Sequence, residues 1–339
     1  MITGFVEISQ ESTALATAET VCAAEALGGR GTPSEIPGLV GVELGAAERW
    51  GELAGRLALA RRCLVRLSSS SEPISDATAA GRRGGSAAFR RIGATSGSAA
   101  DDSVHACGRA FKAAGGTIDL EAPAHRFWIA TTAGGVETLL EEVASVDRSA
   151  IALRKMPLLP FRRPVSLPPK LARAAVNLAR TRLGDRVLDP FLGTGALLAE
   201  AGLLGGRLYG IDRDPAMVRG ALQNLAYLGV GAEELLAGDA RSVRFGEPAP
   251  RFSAIVTDPP YGRSSSTGGE DSGRLVAKVM DRWRESLIPG GTLVLIVPAG
   301  GAPLESLGPP RFRIPVRVHR SLTREFCVYE DAGISRSPA

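Results

Sequence analysis

The chain has 339 residues, 44% of them hydrophobic and 22% charged, a balance that suits folded domains and excludes a disordered or fibrous protein. It carries no apolar run near the roughly 20 residues that span a bilayer, and its opening, MITGFVEISQE, lacks the basic-then-apolar pattern of a secretory signal. The net charge of +4, carried almost wholly by arginine, fits a polyanionic partner and fits arginine-rich codon usage equally well.

Four scattered cysteines, Cys22, Cys63, Cys107 and Cys327, form no Cys-x-x-Cys pair and have no histidine at ligand spacing. No disulfide framework and no metal site is therefore expected, and a reducing cytoplasm is. The segment Leu53–Leu67 begins as an amphipathic helix and ends like a strand. Small polar stretches at Ser68–Ser71 and Thr78–Ser86 read as loops. Ala87–Ala94 (AAFRRIGA) reads as an arginine-bearing strand, followed by a helix from about Asp102 to Ala114. Beyond the Gly115-Gly116 turn, TIDLEAPAHRFWIAT predicts two short strands around Pro123, and 135–146 predicts a helix that completes an α+β unit.

From Arg154 to Arg182 prolines and basic residues alternate, which predicts a basic linker feeding the helix PKLARAAVNLAR. Strands are then expected at 186–190, 207–212, 234–239, 253–258 and 292–298, with helices at about 195–204, 214–228 and 273–287. Such alternation implies an α/β fold with a parallel, doubly wound sheet. RFRIPVRVH and REFCVYE close the chain as an antiparallel hairpin at the sheet edge. The expected domains are 1–67, an N-terminal α+β region; 68–150; 151–182, linker and leading helix; and 183–332.

The chemistry concentrates at the strand ends. Asp189-Pro190-Phe191-Leu192-Gly193-Thr194-Gly195 sits where a strand turns into a helix. It is neither the dinucleotide fingerprint nor a phosphate loop, and its leading acid suits a cofactor with a cationic amino group. Asp212 ends the second strand, where nucleoside-binding sheets hold ribose hydroxyls. Asp239, with Ala240 beside it, ends the third and could accept an adenine amino group. Singly, each aspartate also reads as an ordinary helix or strand-end cap.

Asp258-Pro259-Pro260-Tyr261 ends the fourth strand. An exocyclic base amine is a poor nucleophile because its lone pair is delocalised into the ring. Two acceptors, the Asp258 carboxylate and the Pro259 carbonyl, would favour a tetrahedral nitrogen, the prolines would hold the turn rigid, and Tyr261 would stack a flipped base. The segment GRSSSTGGEDSG that follows reads as a lid over RNA or as a disordered loop. His105, His125 and His319 share no constellation.

Together DPFLGTG, GIDRD, GDARS and TDPPYGRSSS resemble the Rossmann-like class I methyltransferases of adenine N6 and guanine N2. RPVSLPPKLARAAVNLAR, AGLLGGRLYGIDRDPAMVRGALQNLAYLG and HRSLTREF resemble the archaeal tRNA guanosine-10 N2-methyltransferases. FRRIG with IDLEAPAHRFWIA resembles a THUMP domain, an RNA-binding module. The resemblance covers 155–330 strongly and 85–147 moderately. It implies a mostly parallel seven-stranded catalytic sheet, S-adenosyl-L-methionine as cofactor and tRNA as partner, and it allows a small activator subunit. RNA contacts are then expected at Arg90, Arg91, Arg162 and Arg163. The family more often has Cys where Leu192 stands. The alternatives are a THUMP-linked N2-guanine enzyme acting elsewhere in tRNA or on rRNA, a DNA adenine-N6 methyltransferase, and a silent RNA-binding protein on the same fold.

Overall fold

The computed structural model describes residues 2–68, 72–93, 98–163, 166–260, 272–300, 307–319 and 322–330. It divides into two compact units, Met1–Gly55 with Ala60–Asp147, and Arg56–Leu59 with Arg148–Ala339.

The first unit is built on β1 (Ile2–Ile8), α1 (Thr13–Ala26), β2 (Arg30–Pro33), β3 (Leu39–Leu44), α2 (Arg49–Arg56), β4 (Ala60–Arg66), α3 (Pro73–Arg82), β5 (Ser86–Arg91), α4 (Ser98–Ala113), β6 (Thr117–Ile118), β7 (His125–Thr131) and β8 (Glu137–Ser145). Its strands form one sheet in the order β2-β3-β1-β4-β8-β7-β5-β6. Residues 1–67 and 68–150, separated in the sequence reading, therefore share a sheet, joined where β4 pairs antiparallel with β8 from Arg62↔Ser145 to Arg66↔Leu140. The polar sequence at 68–71 gives no hint that the strand Glu137–Ser145 returns to pair.

Two further expectations are corrected. Residues 135–146 form β8, not a helix. Leu139 packs with Phe89, Phe111 and Phe127, while Leu140 packs with Phe5, Leu64 and Trp128. Glu141 likewise meets His125 and Glu142 meets the Trp128 indole N–H. Neighbours that separate in this way are on a strand. The run is rich in helix formers, but pairing on both edges and burial on both faces override propensity. Thr78–Arg82 is not loop but the second half of α3, which starts with Pro73 in its first turn. Its small residues serve close packing: a Cβ on Gly81 would come within 2.3 Å of the Phe111 carbonyl in α4.

The second unit contains α5 (Arg148–Ala152), α6 (Pro169–Leu178), β9 (Arg186–Asp189), α7 (Ala196–Leu203), β10 (Arg207–Asp212), α8 (Pro215–Tyr227), β11 (Glu234–Ala237), β12 (Phe252–Thr257), α9 (Ser272–Arg284), β13 (Leu287–Pro298), β14 (Phe312–His319) and β15 (Leu322–Glu330). Its seven strands run β11-β10-β9-β12-β13-β15-β14. Pairing is parallel from β11 to β13 and antiparallel from β13 through β15 to β14, as expected of the closing hairpin. β13 is apolar without alternation, since a central strand is covered on both faces. Strand order reverses between β9 and β12, and in open sheets of this kind ligands bind beyond the strand ends at that switch point.

The expected basic linker is less basic at its surface than its sequence. Arg154, after α5, and Arg173, in α6, both close on Glu200 of α7, at 2.7 Å each. Arg162 and Arg163 are exposed, with Arg163 laid over the Phe161 ring at 4.6 Å.

Candidate active site

The glycine loop after β9 is held by backbone conformations that side chains resist. Gly193 has φ +53° and Gly195 φ +80°, and Gly195 opens α7. A Cβ on Gly195 would also press to 3.0 Å on the Ala221 methyl of α8. Leu192 N–H donates to the Ile211 carbonyl at 2.8 Å, and Gly193 N–H donates to Asp212 Oδ2 at 2.8 Å, so the loop is tied to the end of β10. Asp212 Oδ1 accepts from Asp214 N–H at 2.9 Å. Burial raises the Asp212 pKa, opposed by these two backbone donors. Its carboxylate retains lone pairs for a ligand's hydroxyls.

Asp189 ends β9 fully buried. Its Oδ1 accepts from the Thr257 hydroxyl at 2.7 Å and from Phe191 N–H at 3.1 Å. Burial pushes its pKa up to about 7; the Thr257 and Phe191 donors oppose the rise, and the charges of Asp258 and Asp212 add to it. Phe191 packs on the aromatic core of Tyr209, Phe245, Phe252 and Trp283.

Asp258 follows β12, beside Asp189. Arg324, on β15, donates from its guanidinium to Asp258 Oδ2. The other oxygen, Oδ1, is buried and has no hydrogen-bond partner among the described residues. Burial raises the Asp258 pKa, and Arg324 opposes the rise. Pro259 is buried and Pro260 half-buried. Tyr261 and most of GRSSSTGGEDSG lie outside the described residues; the segment's end, Ser272-Gly273, opens α9.

The charges of Asp258 and Asp212 both act on Asp189 at the end of β9, so acidic groups gather near the reversal of strand order, a setting whose charge favours a ligand with positive centres. Asp239 stands slightly apart. It lies two residues past β11, with Gly238 N–H donating to the Asp212 carbonyl. Arg241 grips its carboxylate at 3.0 and 2.5 Å and holds it down at about 2. Ala240 is buried, its carbonyl taken by the Trp283 indole at 2.8 Å.

Four residues that matter here were not singled out from sequence: Thr257, Arg324, Asn224 and Ser166. Asn224 of α8 is buried, accepts from Phe161 N–H at 3.0 Å, and donates at 3.0 Å to the carbonyls of Phe161 and Thr194. Ser166 meets the Thr194 hydroxyl at 2.7 Å. The chain before α6 is thereby clamped onto the glycine loop. A polar residue on the buried stripe of α8 was the available signal for Asn224.

In the first unit, Arg90 and Arg91 point to opposite faces of β5. Arg90 is exposed, while Arg91 is 12% exposed, paired to Glu137 at 2.5 Å and donating to Thr131 at 2.9 Å. Of the four arginines expected at RNA, three are exposed and Arg91 is committed inside its own sheet.

A sheet of this order, with a glycine loop after its first strand and Asp-Pro-Pro after its fourth, defines a class I methyltransferase domain. Residues 159–313 match the RMKL-like methyltransferase domain family. Over 175 residues the chain is 46% identical to the tRNA (guanine(10)-N2)-dimethyltransferase of Methanothermobacter thermautotrophicus, a match that takes in 50% of this chain and 51% of that protein. It is 34% identical over 166 residues to the "Probable tRNA (guanine(10)-N2)-dimethyltransferase" of Methanothermococcus thermolithotrophicus, covering 48% of this chain and 98% of that sequence. The chain belongs to the archaeal tRNA guanosine-10 N2-methyltransferase family. It spans about half the length of the first of these relatives. The crystal structure of TrmN from Thermus thermophilus aligns over 97% of this chain and 99% of that one, with TM-score 0.48 and 23% identity.

Proposed function

We propose that this protein transfers a methyl group from S-adenosyl-L-methionine to the N2 amine of guanine 10 in tRNA. The observation that carries the chemistry is Asp258 Oδ1, a buried carboxylate oxygen just past the end of β12 with no hydrogen-bond partner among the described residues. A buried acceptor left without a donor is costly unless a ligand supplies one. The substrate class rests on the family, whose named relatives act on guanine 10 of tRNA.

The cofactor, when bound, supplies an electrophilic methyl on a cationic sulfonium and a cationic amino group. Asp189 and Asp212 suit those charges and the ribose hydroxyls, and the glycine loop lets backbone approach closely. Asp258 Oδ1 and the Pro259 carbonyl take the two N–H groups of the base amine. Held by these two acceptors, the nitrogen would turn its lone pair toward the methyl group that the bound cofactor would supply. Asp258 Oδ1 stands where it can hold the proton the nitrogen sheds. Tyr261 would supply the stacking face. Residues 68–150 are read as a THUMP-like RNA grip, with Arg90 exposed on β5, and Arg162 and Arg163 lie in the segment leading into the catalytic domain.

Two expected results follow from these assignments. Cofactor binding should release a proton below about pH 7, because the Asp189 carboxyl is protonated there in the free protein and a cationic ligand favours its ionised form. Affinity should therefore rise with pH up to about 7 and level off above it. Calorimetry in buffers of different ionisation heat reads the proton count, and equal counts at pH 6 and pH 8 would remove Asp189 from the site. Binding to tRNA should weaken steeply with salt, since arginine–phosphate contacts release counterions. Replacing Arg162 and Arg163 together by Ala should make the slope of log K against log salt shallower by about 1–2. An unaltered slope would put the phosphate contacts elsewhere. Nucleoside mass spectrometry of tRNA from cells with and without the gene tests the reaction itself: loss of N2-methylated guanine at position 10 is expected, and its persistence would overturn the substrate assignment.

A further inference from the structure

Asp258 and Arg324 are 66 residues apart, and only the strand order brings them together. β12 pairs with β13 at Thr257↔Leu295, and β13 pairs with β15 at Leu295↔Cys327 and Pro298↔Arg324. Arg324 must therefore reach across the width of one intervening strand, which its long stem allows. Its side chain is 11% exposed and that of Asp258 18%. Among the described residues the charged groups coupled to the Asp258 carboxyl are Arg324 of β15 and, on the adjacent strand β9, the Asp189 carboxyl on which Asp258 acts. The pairing is one-sided. The guanidinium occupies Oδ2, and Oδ1 has no hydrogen-bond partner among the described residues. A guanidinium placed only for stability would more often satisfy both carboxylate oxygens with its parallel N–H groups.

We propose that Arg324 is the positioning residue of this active site: it anchors Oδ2 so that Oδ1 faces the base amine, and it keeps the carboxylate charged in a buried site. Without it the carboxylate could rotate about its Cα–Cβ and Cβ–Cγ bonds, and burial beside Asp189 would favour its neutral form, which cannot accept both the hydrogen bond and the proton. The antiparallel hairpin is in this view part of the catalytic apparatus as well as the closure of the sheet. The inference rests on the reading of Asp258 given above.

The test compares Arg324→Gln and Arg324→Lys with Asp258→Ala and the unaltered protein, all checked by thermal melts. S-adenosylhomocysteine affinity by calorimetry should stay within about twofold in both Arg324 variants, because Arg324 touches the carboxylate and not the cofactor loop. Single-turnover methylation by Arg324→Gln should fall on the order of 10- to 100-fold, as when an outer partner that orients a reactive group is removed. The acid limb of its pH–rate profile should move to higher pH. Arg324→Lys, which restores charge without the fork, should return the limb towards its original position while recovering only part of the rate. Independently of turnover, the 13Cγ resonance of Asp258, assigned by its absence in Asp258→Asn, should titrate at higher pH in Arg324→Gln. A folded Arg324→Gln with a rate within threefold and an unmoved carboxyl titration would overturn the proposal. Slow Asp258→Ala beside normal Arg324→Gln would sink this inference alone, whereas normal turnover by Asp258→Ala would sink the reading beneath it.

Discussion

Asp258→Ala is expected to methylate unmodified tRNA about 10²- to 10³-fold more slowly than the unaltered protein in single turnover, the cost of deleting one preorganised hydrogen-bonding group at a reacting centre. The loss should fall on the chemical step. As the amine nitrogen becomes tetrahedral its N–H groups grow more acidic, so the hydrogen bond to Oδ1 strengthens in the transition state, and losing it lowers kcat more than it weakens tRNA binding. Filter-binding affinity for tRNA should accordingly change little. Removing the carboxylate also leaves the Arg324 guanidinium without this buried partner, so Asp258→Asn belongs in the same experiment. It keeps the volume and an acceptor oxygen but cannot hold the proton, and it should fall between the other two. Tyr261→Phe should be nearly silent if the ring face is what the base uses, while Tyr261→Ala loses a stacking surface of about 1–3 kcal/mol per base. Near-normal turnover by Asp258→Ala would overturn the mechanism, and a large loss in Tyr261→Phe would transfer the role from ring to hydroxyl.

Glu200→Ala is expected to cost about 3–5 kcal/mol of folding stability, the range for removing one partner from a buried ionic cluster. Glu200 is 2% exposed and binds two guanidiniums: Arg154 through Nε at 2.7 Å and Nη2 at 3.0 Å, and Arg173 through Nε at 2.7 Å. Arg173 is itself buried, so truncation leaves a cation in an apolar setting with its donors unmet. Because Arg154 precedes α6, Arg173 lies within it and Glu200 sits on the helix that follows the glycine loop, the cluster fixes that helix against the segment leading into the domain. Urea unfolding should show the loss as a lower midpoint at unchanged slope, with Glu200→Gln retaining some of the hydrogen bonding and losing less. A midpoint shift worth under about 1 kcal/mol would mean that water reaches the cluster and screens it.

Several parts of this molecule were legible residue by residue. Apolar runs alternating with helical patterns placed the strands and helices of the catalytic sheet to within a few residues, including the closing hairpin but not the start of β13 at Leu287, which fell inside the expected helix 273–287. Asp189, Asp212 and Asp258 were found because the glycine loop and the Asp-Pro-Pro turn are short, contiguous and placed at strand ends. Errors arose where local preference and tertiary demand disagree. The helix formers of 137–145 pair as a strand because two neighbouring strands claim both edges. Arg91, expected at RNA, and Arg173, part of the basic stretch feeding the domain, are paired with Glu137 and Glu200 in the fold.

What the sequence determined by itself was therefore the order of elements in the catalytic sheet, the candidate residues at its strand ends and the family to which the chain belongs. Tertiary structure decided the partners: that 1–67 and 68–150 share one sheet, that Asn224 clamps the leading segment to the glycine loop, that Thr257 caps Asp189, and that Arg324 takes one oxygen of Asp258, the other having no partner among the described residues. The division has a physical cause. Turns, caps and amphipathic faces are satisfied within a few residues of where they are written, whereas strand pairing and buried charge pairing join groups tens of residues apart, and no periodicity in the chain records which strand will lie beside which.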